Sequence, residues 1–130
     1  MFENIMVPSD GSKHSDKAVD VAIEIAKKFN SKITAVYILD ENTSFSYDTL
    51  EDEGNEILKK ISKKGKKEGV MVIEHLITAN PLRDMKVIAQ KTQVDSIVIN
   101  HLGKDNSENV LIGSITDRII KTFDIPIVLV

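Results

Sequence analysis

Two glycines and a serine carry the first suggestion of chemistry in this chain of 130 residues. Gly103 and Gly113 stand with nine residues between them, Ser114 follows directly, and the whole chain has only six glycines. Glycine at a strand end or before a helix marks a backbone that turns tightly or approaches something closely. A helix opened by Gly113 and Ser114 offers free N–H groups and the positive end of its dipole, which favour an anion such as a phosphate. A structural reading stands beside this one. Gly113 would permit close helix–strand packing, and "SITD" (Ser114 to Asp117) has the spacing of a capping box with Asp in place of Glu or Gln. Spacing alone leaves both open.

The second place is "PSDGS", Pro8 to Ser12. Asp10 sits where a carboxylate could accept hydrogen bonds from a sugar hydroxyl or hold a metal ion. It also reads as a turn aspartate ahead of Ser12, which caps the following helix. Other chemistry finds little footing. The chain has no Cys, so thiolate metal sites and disulfides are excluded. His14, His75 and His101 are scattered away from metal-ligand spacing, and His101 reads as a solvent-facing loop residue. Neither GxxxxGK[ST] nor GxGxxG occurs, and no Ser lies in a GxSxG turn. The expectation is no catalytic residue and no protein metal site.

The elements that must position these residues follow from periodicity. Short apolar runs alternate with amphipathic stretches, the pattern of a βαβ protein. Strands are predicted at 4–8, 32–39, 70–78, 95–100 and 125–130. Helices are predicted at 13–29, 48–68, from Asn80 to about Thr92, and at about 114–122. The first helix would bury Ala18, Val19, Ala22, Ile25, Ala26 and Phe29; the second, Leu50, Ile57, Leu58 and Ile61. Gly54 and Gly65 each weaken that second helix by about 1 kcal/mol relative to Ala, so packing must compensate. Asn80 and Pro81 make an N-cap and first helical position. "DSIVIN" reads as a central strand buried on both faces. The predicted fold class is α/β, a three-layer sandwich of a five-stranded parallel sheet with helices on both faces, forming one domain over residues 1–130. Ligands in such sheets sit beyond the carboxyl ends of strands where the strand order reverses, which directs attention to Pro8, Leu39, Thr78 and Asn100.

Composition narrows the partners. A formal net charge of −3 argues against broad nucleic-acid binding, because the phosphate backbone is repelled. The start "MFENIMVPSD" is not a secretory signal, no apolar run is long enough for a bilayer, and a cytoplasmic location is expected. The lysine run Lys59, Lys60, Lys63, Lys64, Lys66 and Lys67 admits an anionic partner but reads better as a solvated helix face.

At this point the chain resembles the universal stress protein family over its whole length. The matching pieces are "IMVPSDGS", "AVYILD", "NPLRDMKVIAQKTQVDSIVIN", the glycine loop and "GSITDRIIKTFDIPIVLV". Nucleotide-binding members carry Gly-x2-Gly-x9-Gly-Ser/Thr, and here the corresponding residues are Asn100, Gly103, Gly113 and Ser114. The resemblance implies an adenine nucleotide alpha hydrolase-like fold with a pocket for ATP, ADP or AMP, and Mg²⁺ as the usual companion of a triphosphate. Asp10 matches the ribose-contacting aspartate. Ile38 and Ile99 match positions beside the adenine and before the glycine motif. Gly103, Gly113, Ser114 and Ile115 match phosphate-holding positions, and Pro8 and Ser9 would line the same crevice.

Three departures bear on that pocket. Asn100 replaces the first glycine, adding side-chain bulk where the nucleotide approaches. Asp105 and Glu108 outweigh Lys104 in the loop, and Ala79 stands where relatives often have glycine. These lower the expected affinity for a triphosphate without excluding AMP or ADP. The ending "IPIVLV" reads as an apolar edge strand, and exposed edges invite pairing. By the resemblance, strand Ile125 to Val130 pairs with its twin in a homodimer. The functional expectation is a nucleotide-binding stress sensor or scaffold and not an enzyme. The alternative is a nucleotide-free dimeric interaction module of the same fold. A phosphoryl-accepting receiver domain is disfavoured, since no aspartate follows "ITAN" and no lysine ends the fifth strand.

Overall fold

The computed structural model describes residues 2–40, 47–100 and 110–130, with 47–48 and 110–114 described by their backbone only. Elements alternate strictly: β1 (Asn4–Pro8), α1 (Lys13–Phe29), β2 (Lys32–Asp40), α2 (Tyr47–Lys67), β3 (Val72–Ala79), α3 (Pro81–Lys91), β4 (Ser96–Ile99), α4 (Val110–Thr122) and β5 (Ile127–Leu129). The strands form one five-stranded sheet in the order β3-β2-β1-β4-β5, and every pairing is parallel. This is the predicted α/β fold class. The order reverses between β1 and β4, which places the switch point beside Pro8.

Alternation of side chains across the strands splits the core into two layers. On one face Ile5, Val7, Ala35, Tyr37, Leu39 and Val98 pack against Ala18, Val19, Ala22 and Ile23 of α1 and Leu58 and Ile61 of α2. On the other, Met6, Val36, Ile97 and Ile99 meet Met85, Ile88 and Ala89 of α3 and Ile119 of α4. All four β4 residues are buried, as a strand covered on both faces requires.

The stripe of α1 is corrected in part. Ile23 is buried, whereas Phe29 is mostly exposed and leans on Phe2 with ring centroids 5.4 Å apart. Position 29 is the last helical residue, and the chain turns away at Asn30, whose φ of 55° is left-handed. On α2 the inward set is as expected, with Leu58 and Ile61 buried and Leu50 and Ile57 packed against the same cluster. Its six lysines are exposed, and Lys64 pairs with Asp20 at 3.2 Å.

Gly65 shows what compensates for a poor helix former. A Cβ there would lie 2.5 Å from Val72 Cγ2 and 2.9 Å from the Val70 carbonyl oxygen. Only glycine lets α2 come this close to the start of β3. Gly54 plays the same part further up, where a Cβ would meet Tyr37 and Leu76.

A polar clasp at the amino end of the sheet had no signal in the sequence. Asn4, buried, donates from Nδ2 to the Thr92 carbonyl at 3.1 Å, and its Oδ1 accepts from Thr34 Oγ1 at 2.7 Å. The Asp95 carboxylate accepts the N–H groups of Glu3 at 2.9 Å and Asn4 at 3.2 Å. These bonds tie β1 to β2 and to the start of β4, fixing the register on which the opposite end depends.

Candidate functional site

The helices that follow β1 and β4 lie on opposite faces of the sheet, α1 in one core layer and α4 in the other. A crevice opens between the loops that lead to such helices in parallel α/β sheets. The β1–β4 register sets Met6 beside Ile97, and Pro8 and Ile99 each lie two residues further along their strands. On its other side Pro8 pairs with Val36, and the Ser9 N–H donates to the Val36 carbonyl at 2.9 Å. β2 runs on past the end of β1 to Asp40. Ile38 therefore projects beyond β1, half-buried, on the α3/α4 face that also carries Ile99 and Ile115. Three of the apolar residues assigned to the site share one wall.

The turn after β1 is a dense hydroxyl–carboxylate knot. Asp10 Oδ1 accepts from the Ser12 N–H at 2.9 Å and from Ser15 Oγ at 3.0 Å. Ser12 caps α1, its Oγ accepting from the Ser15 N–H at 3.1 Å. Ser9 Oγ lies 3.2 Å from Ser15 Oγ and accepts the Gly11 N–H at 3.2 Å. Gly11 has φ +82°, a left-handed backbone that favours glycine, and a Cβ there would meet only the Ile57 side chain, Cδ1 at 2.6 Å. The turn role of Asp10 and the capping role of Ser12 are both present. Ser9 is buried and spends its hydroxyl within the knot. Ser15 is the residue that sequence reasoning missed. Its signal was the Ser12-x-x-Ser15 spacing immediately after Asp10.

The carboxyl end of β4 contributes Ile99, 4% exposed, and Asn100, half-buried. The Ile99 carbonyl accepts the Val130 N–H at 2.8 Å, which anchors β5 to the site. Gly103 and His101 lie outside the described residues, as do Lys104, Asp105 and Glu108.

The opening of the last helix is corrected. α4 begins at Val110, so Gly113 and Ser114 are its fourth and fifth residues rather than its start. The capping box "SITD" is therefore not a cap. The apolar period Ile112, Ile115, Ile119 already runs through Gly113, and it outweighs the break that glycine suggested. An α-helix leaves the amides of its N-cap and first three residues without an intrahelical acceptor, and among the described residues of α4 these belong to Val110, Leu111 and Ile112. The amides of Gly113, Ser114 and Ile115 fall to the helix ladder, as those of the fourth residues Asp16 and Asp84 do in α1 and α3. A phosphate at this helix start would thus meet the residues before Gly113.

Asn80 opens α3 at the end of β3. Its Oδ1 accepts the N–H groups of Leu82 at 3.0 Å and Arg83 at 3.1 Å, and Asp84 returns the contact by accepting the Asn80 N–H at 2.9 Å. Asp84 is also gripped by Arg83, Nε to Oδ1 at 2.7 Å. The Arg83 hydrogen bond, followed by that from the Asn80 backbone, lowers the Asp84 carboxyl to about 2. Among the described residues no cluster of three His, Asp or Glu side chains is placed to hold a metal ion.

The family model described as "Universal stress protein family" matches residues 1–130. The chain belongs to the universal stress protein family. A universal stress protein of Methanocaldococcus jannaschii is 31% identical over 140 aligned positions, covering 100% of this chain and 82% of that relative. Among solved structures, the universal stress protein from Archaeoglobus fulgidus in complex with dAMP superposes with a TM-score of 0.78 at 22% identity, covering 99% of this chain and 98% of that one. A universal stress protein family protein from Arabidopsis thaliana with AMP bound gives a TM-score of 0.71 at 16% identity, with 98% and 90% covered. Both similarities establish the fold. As a universal stress protein, the chain keeps the Pro8–Ser12 turn and the β4 end side by side at the switch point. Among the described residues, no helix is long and apolar enough to cross a membrane.

Proposed function

We propose that this universal stress protein binds an adenine nucleotide in the crevice between the ends of β1 and β4 and serves as a sensor or scaffold rather than an enzyme. The observation that carries this reading is the convergence of Pro8, Asp10, Ile38 and Ile99 at the one point where the strand order reverses. Apolar strand ends suit a purine, the Asp10 carboxylate suits ribose hydroxyls, and the first amides of α4 suit a phosphate. Solved universal stress proteins holding AMP or dAMP make that ligand class the one to try first. AMP and ADP fit the reading better than ATP, because Asn100 and the acidic residues Asp105 and Glu108 oppose a long anionic tail. Mg²⁺ enters as the companion of a triphosphate. Of the donors available to it, Asp10 already commits Oδ1 to Ser12 and Ser15.

Among the described residues no general base stands out at the crevice, and hydrolysis of ATP by the protein alone is expected to be slow. Pairing through the β5 edge completes the proposal: β5 is the outer strand beside β4, and Leu129 is 52% exposed. The second reading, a nucleotide-free interaction module, is favoured by one observation. Asp10 Oδ1 and the Ser9 hydroxyl are both spent inside the turn. Mass spectrometry of small molecules released from the purified protein, followed by calorimetry with AMP, ADP and ATP, separates the two. Recovery of an adenine nucleotide and a saturable heat supports the proposal. An empty spectrum with no heat at millimolar ligand supports the second reading.

A further inference from the structure

α3 and α4 pack side by side on one face of the sheet, and between their outer surfaces lies a groove of about 210 Å³. It is remote in kind from the switch-point crevice. Its walls are side chains from the middle and ends of the two helices, and no strand end contributes. Such a volume is below the roughly 300 Å³ at which small-molecule and cofactor pockets begin. It accommodates one large side chain rather than a whole nucleotide.

The lining has a definite chemical character. Met85, Val87 and Phe123 supply an apolar surface, and Arg83, Lys86 and Arg118 surround it; among the described residues no carboxylate lines it. This reverses the sign of a chain whose net charge is −3. Val87 is 46% exposed and Met85, two residues away around the helix, is 2% exposed, so a branched apolar side chain stands uncovered beside Lys86 and Arg118, while Arg83 is held by Asp84 at 2.7 Å. Lys86 reaches Asp124 only at 3.7 Å, and that aspartate is itself 90% exposed, a weak pair that a better-placed carboxylate displaces. Arg118 forms no ion pair with a described residue. Arg83, Lys86, Val87 and Gln90 follow the i, i+3, i+4, i+7 rule along about two turns of α3, roughly 10 Å of accessible length.

From this we infer that the α3/α4 groove is a docking site for an acidic peptide segment of a protein partner, which seats one apolar side chain over Val87 and Met85 while flanking carboxylates meet Arg118 and Lys86. The charge complementarity selects the partner class. A basic or purely apolar segment would leave Arg118 and Lys86 desolvated without compensation. The site is independent of nucleotide in the crevice, so the two readings fail separately.

The test uses the full chain and a fluorescein-labelled peptide of sequence Glu-Glu-Leu-Phe-Glu-Glu, followed by fluorescence anisotropy at low and high salt. Controls are the same peptide with Lys for each Glu and one with Ser for Leu and Phe. Saturable binding of the acidic apolar peptide is expected, weakening at high salt and falling tenfold or more in Arg118→Glu. Val87→Glu should abolish binding by a separate route. Circular dichroism establishes that each variant is folded, and both positions are exposed enough to tolerate the change. No saturable binding at millimolar protein, equal binding of the lysine control, or binding unchanged in both variants would overturn the inference. So would sedimentation showing that Arg118→Glu dissociates a complex of two chains, because a second copy would then occupy the groove.

Discussion

Ser15 Oγ donates to Asp10 Oδ1 at 3.0 Å, so the carboxylate proposed to meet a ribose is held by a hydroxyl in the first turn of α1. The same oxygen takes the Ser12 N–H. Asp10 is thereby aimed by the helix that follows it. Ser15→Ala should destabilise the fold by about 1.5–3 kcal/mol, the range for a hydrogen bond to a charged group. It should also weaken AMP binding several-fold, although Ser15 is buried and has no direct role toward the ligand. Urea unfolding and calorimetry on the same variant check the two halves. Unchanged affinity in a destabilised variant would confine the bond to folding.

Gly65 sets propensity against packing. In an open helix Gly→Ala gains about 1 kcal/mol. Here the added methyl would stand 2.9 Å from the Val70 carbonyl oxygen, a backbone atom that cannot swing away. Overpacking of this kind costs about 1–3 kcal/mol. Gly65→Ala should therefore lower the urea midpoint, and a raised midpoint would show that α2 shifts outward freely.

Acid stability should carry the mark of Asp84. Its carboxyl lies at about 2 in the fold against an ordinary 3.8, because Arg83 and the Asn80 N–H favour the charged form. A depressed carboxylate contributes stability that is complete above its unfolded value and is lost as pH falls through the folded one. The wild-type protein should lose this contribution between pH 3.8 and about 2. Asp84→Asn should show a shallower decline over that window, measured as melting temperature against pH. Parallel curves would remove Asp84 from the account.

The β5 edge should control assembly. Only its inner side is paired, with Ile97↔Ile127, Val98↔Val128 and Ile99↔Leu129 in register. A proline or a lysine on an edge strand blocks further pairing. Wild-type protein should sediment at twice the mass of one chain, and Leu129→Lys should sediment at once that mass with an unaltered circular dichroism spectrum. A variant that stays dimeric would place the interface elsewhere.

The fold was legible because local signals agreed with one another. "SIVI" is apolar at three of its four positions, and the strand it forms is buried on both faces. Asn80 before Pro81 predicted a capped helix start, and the cap is present with two amide bonds. The failures have physical causes. Gly113 looked like a helix boundary, but a single glycine does not break an apolar stripe that tertiary packing supports. Gly65 looked like a defect, since the nearness of β3 is invisible in sequence. The Asn4–Asp95 clasp joins residues 91 apart in the chain, and no local pattern encodes such a distance. Of the site, Pro8, Ile38 and Ile99 lie at strand ends beside the switch point and Asp10 in the turn after β1. Ser15 was hidden because its role depends on α1 turning it back onto Asp10.

The most direct test is amide NMR of the labelled protein titrated with AMP. The account predicts saturable shifts concentrated at Ser9, Asp10, Ile38, Ile99, Asn100 and Gly113, at both lips of the switch point and in the first turn of α4. Shifts centred on any other surface, or none at millimolar AMP, would contradict it.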